Sequence, residues 1–264
     1  MSDDWRIPRA VTVRSSARRW ILIGWAVSAV ASASTAVAQG LWDDPAFALY
    51  RQAVEAMEAK DFARATALAD QAIKAYPDHV MAHYLRGQAA LAERRWPDAA
   101  AAFSRVVALY PGSFAGQRDL ATALQQAGRT DDAARAYEAA LALRPDSEDV
   151  QLRLAFLFVN AKQTDKAKPL LQALADKGTK AYDVYTTLAR IAYEKDDFAA
   201  SEAAFVKALA VRDDGKTWFN LGVVRVRRND MKGALDAFER AAQHAETKEQ
   251  AAKEIERVKA SSRR

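Results

Sequence analysis

The chain of 264 residues contains no cysteine, which excludes disulfides, thiolate zinc sites, a cysteine nucleophile and the lipid-modified cysteine of a bacterial lipoprotein. Histidine is nearly as scarce, with only His79, His83 and His244. His79 and His83 stand four apart, but His79 falls before its helix begins, so the pair reads as packing or surface residues rather than as metal ligands. No glycine-rich phosphate loop and no G-x-S-x-G elbow occurs, and carboxylates are spread along solvent faces beside basic partners, as Glu249 beside Lys253. The expectation is a protein that is not an enzyme, with no catalytic residue, no metal and no cofactor. Glycine and proline are also few, at 10 and 7, which leaves little material for turns. Alanine, the best helix former, dominates from Ala46 onward while β-branched residues are sparse, so the composition predicts an all-α fold.

A strong charge of one sign is missing too. The formal net charge is +5, but Arg6, Arg9, Arg14, Arg18 and Arg19 crowd the first nineteen positions, opposed only by Asp3 and Asp4. Taking those five from 39 basic residues, and the two aspartates from 34 acidic ones, leaves 34 against 32. A near-neutral remainder argues against nucleic acid as a partner.

The arginine-rich start leads into Trp20 to Ala38, nineteen uncharged residues that begin strongly apolar and end in small Ala, Ser and Thr. This is the layout of a secretory signal peptide, with Ala36-Val37-Ala38 matching the A-x-A rule and cleavage expected before Gln39. An uncleaved N-terminal membrane anchor remains the alternative, since the stretch could just cross a core of about 30 Å. Both predict that everything after Ala38 is exported, which in a bacterium means the periplasm, with the arginines held on the cytoplasmic side. Arg18-Arg19 approaches a twin-arginine signal, but Ala17, Ile21 and Ile23 depart from that pattern. Asp3 and Asp4 count against a mitochondrial presequence.

Internal periodicity decides the rest. Phe62, Trp96, Thr130, Thr164 and Phe198 follow one another at 34 residues, and three positions on stand Ala65, Ala99, Ala133, Ala167 and Ser201. Pro77, Pro111 and Pro145 keep the same step, and a sixth unit, one residue short, continues with Met231 and Ala234. Each unit contains two apolar helical patterns around a short polar or glycine-containing turn such as Ala127-Gly128-Arg129, and is therefore a helix hairpin. Pro97 starts a second helix, the three prolines close second helices, and Ser113 and Ser147 can cap the helices that follow. Ala53, Gly87, Ala121, Ala155, Ala189 and Gly222 are expected to face the small set beginning at Ala65, while Phe103, Tyr137, Leu171, Phe205 and Phe238 fill space toward the neighbouring hairpin. Pro169, several residues into a second helix, predicts a kink or a change in superhelical path.

The sixth unit reads Trp218, Leu221, Gly222, Ala234, Phe238 and Ala241; the second gives Gly87, Trp96, Ala99, Phe103 and Pro111; the third gives Leu120, Ala121, Gly128, Ala133, Tyr137, Ala140 and Pro145. On these positions the chain resembles the tetratricopeptide repeat family. The resemblance implies a right-handed α-solenoid of about six hairpins over residues 46–79, 80–113, 114–147, 148–181, 182–214 and 215–248. A leader, 39–45, precedes them. A charged capping helix, 249–264, follows, with Ala251, Ala252, Ile255 and Val258 on its apolar side.

In such a stack the first helix of each repeat lines the concave side, and the resemblance nominates its second, fifth, sixth, ninth, twelfth and thirteenth residues as partner contacts. Repeats one and two then offer Phe47, Tyr50, Met57, Tyr84 and Leu91. Repeat four offers Leu152, Arg153, Phe156 and Asn160, repeat five Arg190 and Tyr193, and repeat six Phe219, Asn220, Val223 and Arg227. This set suits an apolar peptide or helix with arginine fixing its register. The Lys and Asn combination with which co-chaperone members of the family hold a terminal carboxylate is absent from any three successive repeats, which disfavours a heat-shock chaperone tail. The expected function is a scaffold that holds a segment of an envelope or secretion protein in its groove. The alternative is a structural subunit of a membrane-associated complex that uses its outer face or ends.

Overall fold

A computed structural model describes residues 45–261; the segment read above as a signal peptide lies outside them. The described residues form thirteen α-helices and no strand. They fall into hairpins: α1 (Pro45–Glu58) with α2 (Phe62–Ala75), α3 (Val80–Ala92) with α4 (Trp96–Leu109), and α5 (Phe114–Gln126) with α6 (Thr130–Leu143). Then come α7 (Glu148–Asn160) with α8 (Thr164–Asp176), α9 (Tyr182–Glu194) with α10 (Phe198–Val211), and α11 (Gly215–Arg227) with α12 (Met231–Ala241), followed by α13 (Lys248–Ser261). The fold class is the all-α solenoid of helical hairpins. The chain divides into two compact units, one ending at Pro145 and the other beginning at Asp146, so each holds three hairpins.

A single backbone device makes every hairpin. One residue after the first helix takes a positive φ: Lys60, Arg94, Gly128, Lys162, Asp196 and Asn229, at φ between 57 and 76°. The next amide reaches back to the carbonyl five residues earlier, as Asp61 to Ala56 at 2.9 Å, Arg95 to Ala90 at 2.8 Å and Asp230 to Arg225 at 2.9 Å. This is the Schellman closure, which satisfies carbonyls that a helix end leaves open. The same following residue then caps the second helix. Asp61, Asp197 and Asp230 each accept the backbone amide three residues on, at 2.9 to 3.0 Å.

The small column of the second helices, Ala65, Ala99, Ala133, Ala167, Ser201 and Ala234, is fully buried in all six hairpins. Ser201, the polar exception, donates its hydroxyl to the Ala189 carbonyl across its hairpin at 2.8 Å, so no buried group is left open there. The opposing column meets the small column, as the Ser201 bond to Ala189 shows, and it meets something more. A Cβ on Gly87 would lie 2.7 Å from the Phe103 ring, and one on Gly222 would lie 2.6 Å from the Phe238 ring. These glycines therefore also seat the aromatic ring of their own hairpin's second helix.

The helix α8 continues through Pro169 from Thr164 to Asp176, and without a closing proline it ends on Gly178, whose φ is +73°. On α13, Ala251 and Val258 are buried and Ile255 packs beside them, but Ala252 is exposed.

The second hairpin begins on two buried histidines. His79 Nδ1 accepts the Ala82 amide at 3.2 Å as the helix cap, and His83 pairs through Nε2 with the Pro77 carbonyl at 2.8 Å. Burial is the main reason that His83 resists protonation relative to the ordinary value of 6.5, and Arg105 and Arg86 reinforce it against Asp78 and the Pro77 carbonyl. Because the folded state binds this proton more weakly than the unfolded chain, its contribution to stability is present above about pH 6.5 and is lost as pH falls through the lowered value. The urea midpoint should therefore drop between pH 7.5 and 5 (roughly the span over which His titrates), and His83→Gln should flatten that dependence.

Candidate functional site

The first helices of the hairpins carry the nominated contact residues, and their fates differ between the two units. In the first unit Phe47 is buried at 8% exposure, so it belongs to the core and not to a binding surface. Tyr50 and Met57 are half-buried against the cluster of Ala53, Ala56, Ala69 and Leu85. Tyr84 meets the Phe103 ring edge-on at 5.5 Å and donates its hydroxyl to Asp119 of the third hairpin at 2.6 Å. Burial first, and then the Asp119 carboxylate, push its phenol far above the ordinary range. Tyr84 is thus a strut between hairpins as much as a surface residue. Leu91 is half-buried.

In the second unit the residues of repeats five and six converge. Arg190 and Tyr193 on α9, with Asn220 and Val223 on α11, line one cleft of about 590 Å³. Leu152, Arg153, Phe156 and Asn160 on α7, with Phe219 and Arg227 on α11, are partly or fully exposed but do not line it. Phe219 packs on the Phe238 ring at 5.4 Å, and the Arg227 guanidinium lies 4.9 Å from the Phe198 ring. Tyr193 meets Phe198 edge-on at 5.5 Å, which makes it cleft wall and core at once.

Much of the cleft was not nominated. Phe205 and Val224 contribute apolar wall, Thr186 and Thr187 line α9, and Lys216 stands at the start of α11. The two threonines and Lys216 occupy the fifth, sixth and second positions of their repeats, so the register already in hand could have found them. Arg212 could not have been found that way, because it sits in the linker after α10.

That linker builds the end of the cleft. Asp214 caps α11, its Oδ2 accepting the Thr217 amide, the Thr217 hydroxyl and the Tyr182 hydroxyl, each at 2.9 Å. Tyr182 and Thr217 also share a close hydroxyl contact. Burial alone would raise the Asp214 carboxyl, but the Thr217 amide, the two hydroxyls and Arg212 outweigh it and hold it below its ordinary 3.8. The Arg212 guanidinium lies 3.5 Å from the Tyr182 ring centroid, a stacked cation held at the cleft mouth.

Behind the cleft a second charged group ties α10 to α11. Arg225 and Arg228 both bind Glu202, the former at 2.9 Å, and Arg225 also donates to the Gly233 carbonyl at 3.0 Å. Among the described residues no group of three or more His, Asp or Glu is placed to hold a metal ion. No described helix is long and apolar enough to cross a membrane.

Stacked hairpins with a lined cleft between successive first helices define a helical-repeat protein of the kind that is generally a non-catalytic scaffold for protein interaction. The chain belongs to the tetratricopeptide repeat family: one family model of that description matches residues 50–114 and 186–252, and a second matches 124–191. No curated protein sequence matches it. Among solved structures it is similar to YrrB, described as a tetratricopeptide protein with an unusual peptide-binding site, at 13% identity and a TM-score of 0.60 over 71% of this chain and 97% of that one. It is also similar to MamA from Desulfovibrio magneticus RS-1, at 19% identity and a TM-score of 0.54 over 62% and 93% of the two chains. The C-terminal part of a tetratricopeptide protein from Cytophaga hutchinsonii matches at 14% identity and a TM-score of 0.61 over 74% and 78%. At these identities the likeness is one of fold.

Proposed function

We propose that the chain is a non-catalytic scaffold of the bacterial periplasm that holds a segment of an envelope or secretion protein between α9 and α11. The observation that carries the reading is the cleft itself, where Arg190, Tyr193, Asn220 and Val223 come together from two successive repeats. Its walls combine aromatic and aliphatic surface with a few fixed polar groups, the composition of a peptide site. The family membership and the peptide site named for YrrB support the same function class. Export rests on the uncharged Trp20 to Ala38 stretch and its A-x-A end.

A second reading, assembly through the outer face, is favoured by α10. Val206 and Val211 are 47% and 39% exposed, and Ala199, Ala200, Ala203 and Ala210 are exposed with them, so a helix apolar on nearly all sides leaves one stripe uncovered.

Crosslinking in intact cells, with fractionation, separates the two. Tyr84 and Tyr193 are poor positions for the test because each supports a core ring, whereas Asn220 is exposed. Asn220→Trp should fill the cleft and abolish the crosslinked species from the periplasmic fraction without lowering the melting temperature. Loss with Val206→Asp and retention with Asn220→Trp would transfer the function to the outer face.

A further inference from the structure

The cleft is chemically lopsided. Three of its lining side chains are cations, Arg190, Arg212 and Lys216, and its single acid is Asp214. Asp214 Oδ2 is already engaged by Tyr182 and Thr217 in closing α11. Arg212 makes a long, exposed ion pair with Asp214 at 3.9 Å, with Asp183 acting on it as well, and its planar face stacks on Tyr182. Arg190 binds Glu194 at 2.8 Å, but both are half-exposed, a pairing that a competing carboxylate can replace at little loss. Lys216 is exposed and has no ion-pair partner among the described residues. With Glu194 beside Arg190 and with Asp214 and Asp183 beside Arg212, the charges about balance, and Lys216 is the lining cation left to an incoming carboxylate.

Between these cations lies apolar surface from Tyr193, Phe205 and Val223. An occupant must therefore offer negative charge and an apolar side chain together. From this we infer that the cleft between α9 and α11 selects an acidic peptide segment, with Asp or Glu side chains directed at Lys216 and Arg212 and an apolar residue seated on Tyr193 and Val223. The inference rests on the groove reading above and narrows it to one partner chemistry. Charge complementarity of this kind sets selectivity and the rate of encounter. Removing one rim cation should weaken binding without disturbing the fold.

The test is fluorescence anisotropy with the full chain and matched labelled peptides, acetylated and amidated so that no terminal charge contributes. One alternates Glu with Leu, one has Gln for each Glu, and one keeps Glu but has Gly for each Leu. The Glu/Leu peptide should bind about tenfold tighter than either control at low salt, and Lys216→Glu should remove about that factor while circular dichroism stays unchanged. Equal binding of the Glu/Leu and Glu/Gly peptides would mean diffuse attraction of any polyanion, nucleic acid included, and would overturn the inference. Equal binding of the Glu/Leu and Gln/Leu peptides, both blocked by Asn220→Trp, would overturn the charge inference while leaving the groove reading standing. If no peptide binds, both fall.

Discussion

Gly87→Leu is expected to destabilise the protein by about 1 to 3 kcal/mol, read as a fall in urea midpoint. The Cβ alone would stand 2.7 and 2.8 Å from two ring carbons of Phe103, closer than side-chain carbons approach, and three further carbons must then be housed. Phe103 has no room to yield, since its ring is fully buried and braced edge-on by Tyr84. The clash is with a named side chain, so it should be reversible. Phe103→Leu opens a cavity on its own, but combined with Gly87→Ala it should recover more stability than the sum of the two single changes predicts. If the double variant is merely additive, the ring is not what holds position 87 to glycine. Gly128 is the contrasting case, because nothing lies within 4 Å of its would-be Cβ and only its φ of +76° favours glycine.

That pairing also marks how far the sequence could be read. The 34-residue step exposed the hairpins, and the columns at Ala65 and Gly87 were identifiable as small. That the Phe103 ring also packs on Gly87, sixteen residues back, was not legible, because periodicity reports that every column repeats without saying all that it touches. The turns were only partly legible for a similar reason. Gly128 announces a left-handed residue, whereas Lys60, Arg94, Lys162, Asp196 and Asn229 take the same conformation with side chains that give no such signal. The division after Pro145 left no trace, since Pro145 keeps the step of Pro77 and Pro111. In the site, the register nominated Arg190, Tyr193, Asn220 and Val223 and also Phe47, and nothing in a one-dimensional pattern told the half-exposed positions from the buried one. Arg212 and Asp214 were beyond reach because they lie in the linker between the fifth and sixth repeats, where the 34-residue step shortens by one and the register itself breaks.

That linker is where loss of a single carboxylate should do most damage. Asp214→Ala removes the acceptor of three hydrogen bonds and leaves Tyr182, the first residue of α9, joined to the start of α11 only through its contact with the Thr217 hydroxyl. A lost helix cap is worth about 1 kcal/mol, and each bond from a neutral donor to a charged acceptor adds more, so about 2 to 4 kcal/mol is expected in total. Asp214→Asn should be milder, because an amide oxygen still caps Thr217 even though the charge beside Arg212 is gone. The pH dependence separates cap from charge. The carboxyl titrates below its ordinary 3.8 when folded, so its contribution is fully present above that value and disappears as pH falls through the lowered one. In the wild type, urea stability should fall in acid below about pH 4, and in Asp214→Asn that part of the acid loss should be missing. Because Tyr182 carries the stacked Arg212, Asp214→Ala should also release that cation from the cleft mouth. Affinity for the acidic peptide should then drop in Asp214→Ala, although the substitution removes a negative charge from the site, and a rise in affinity would show that Arg212 does not need its seat.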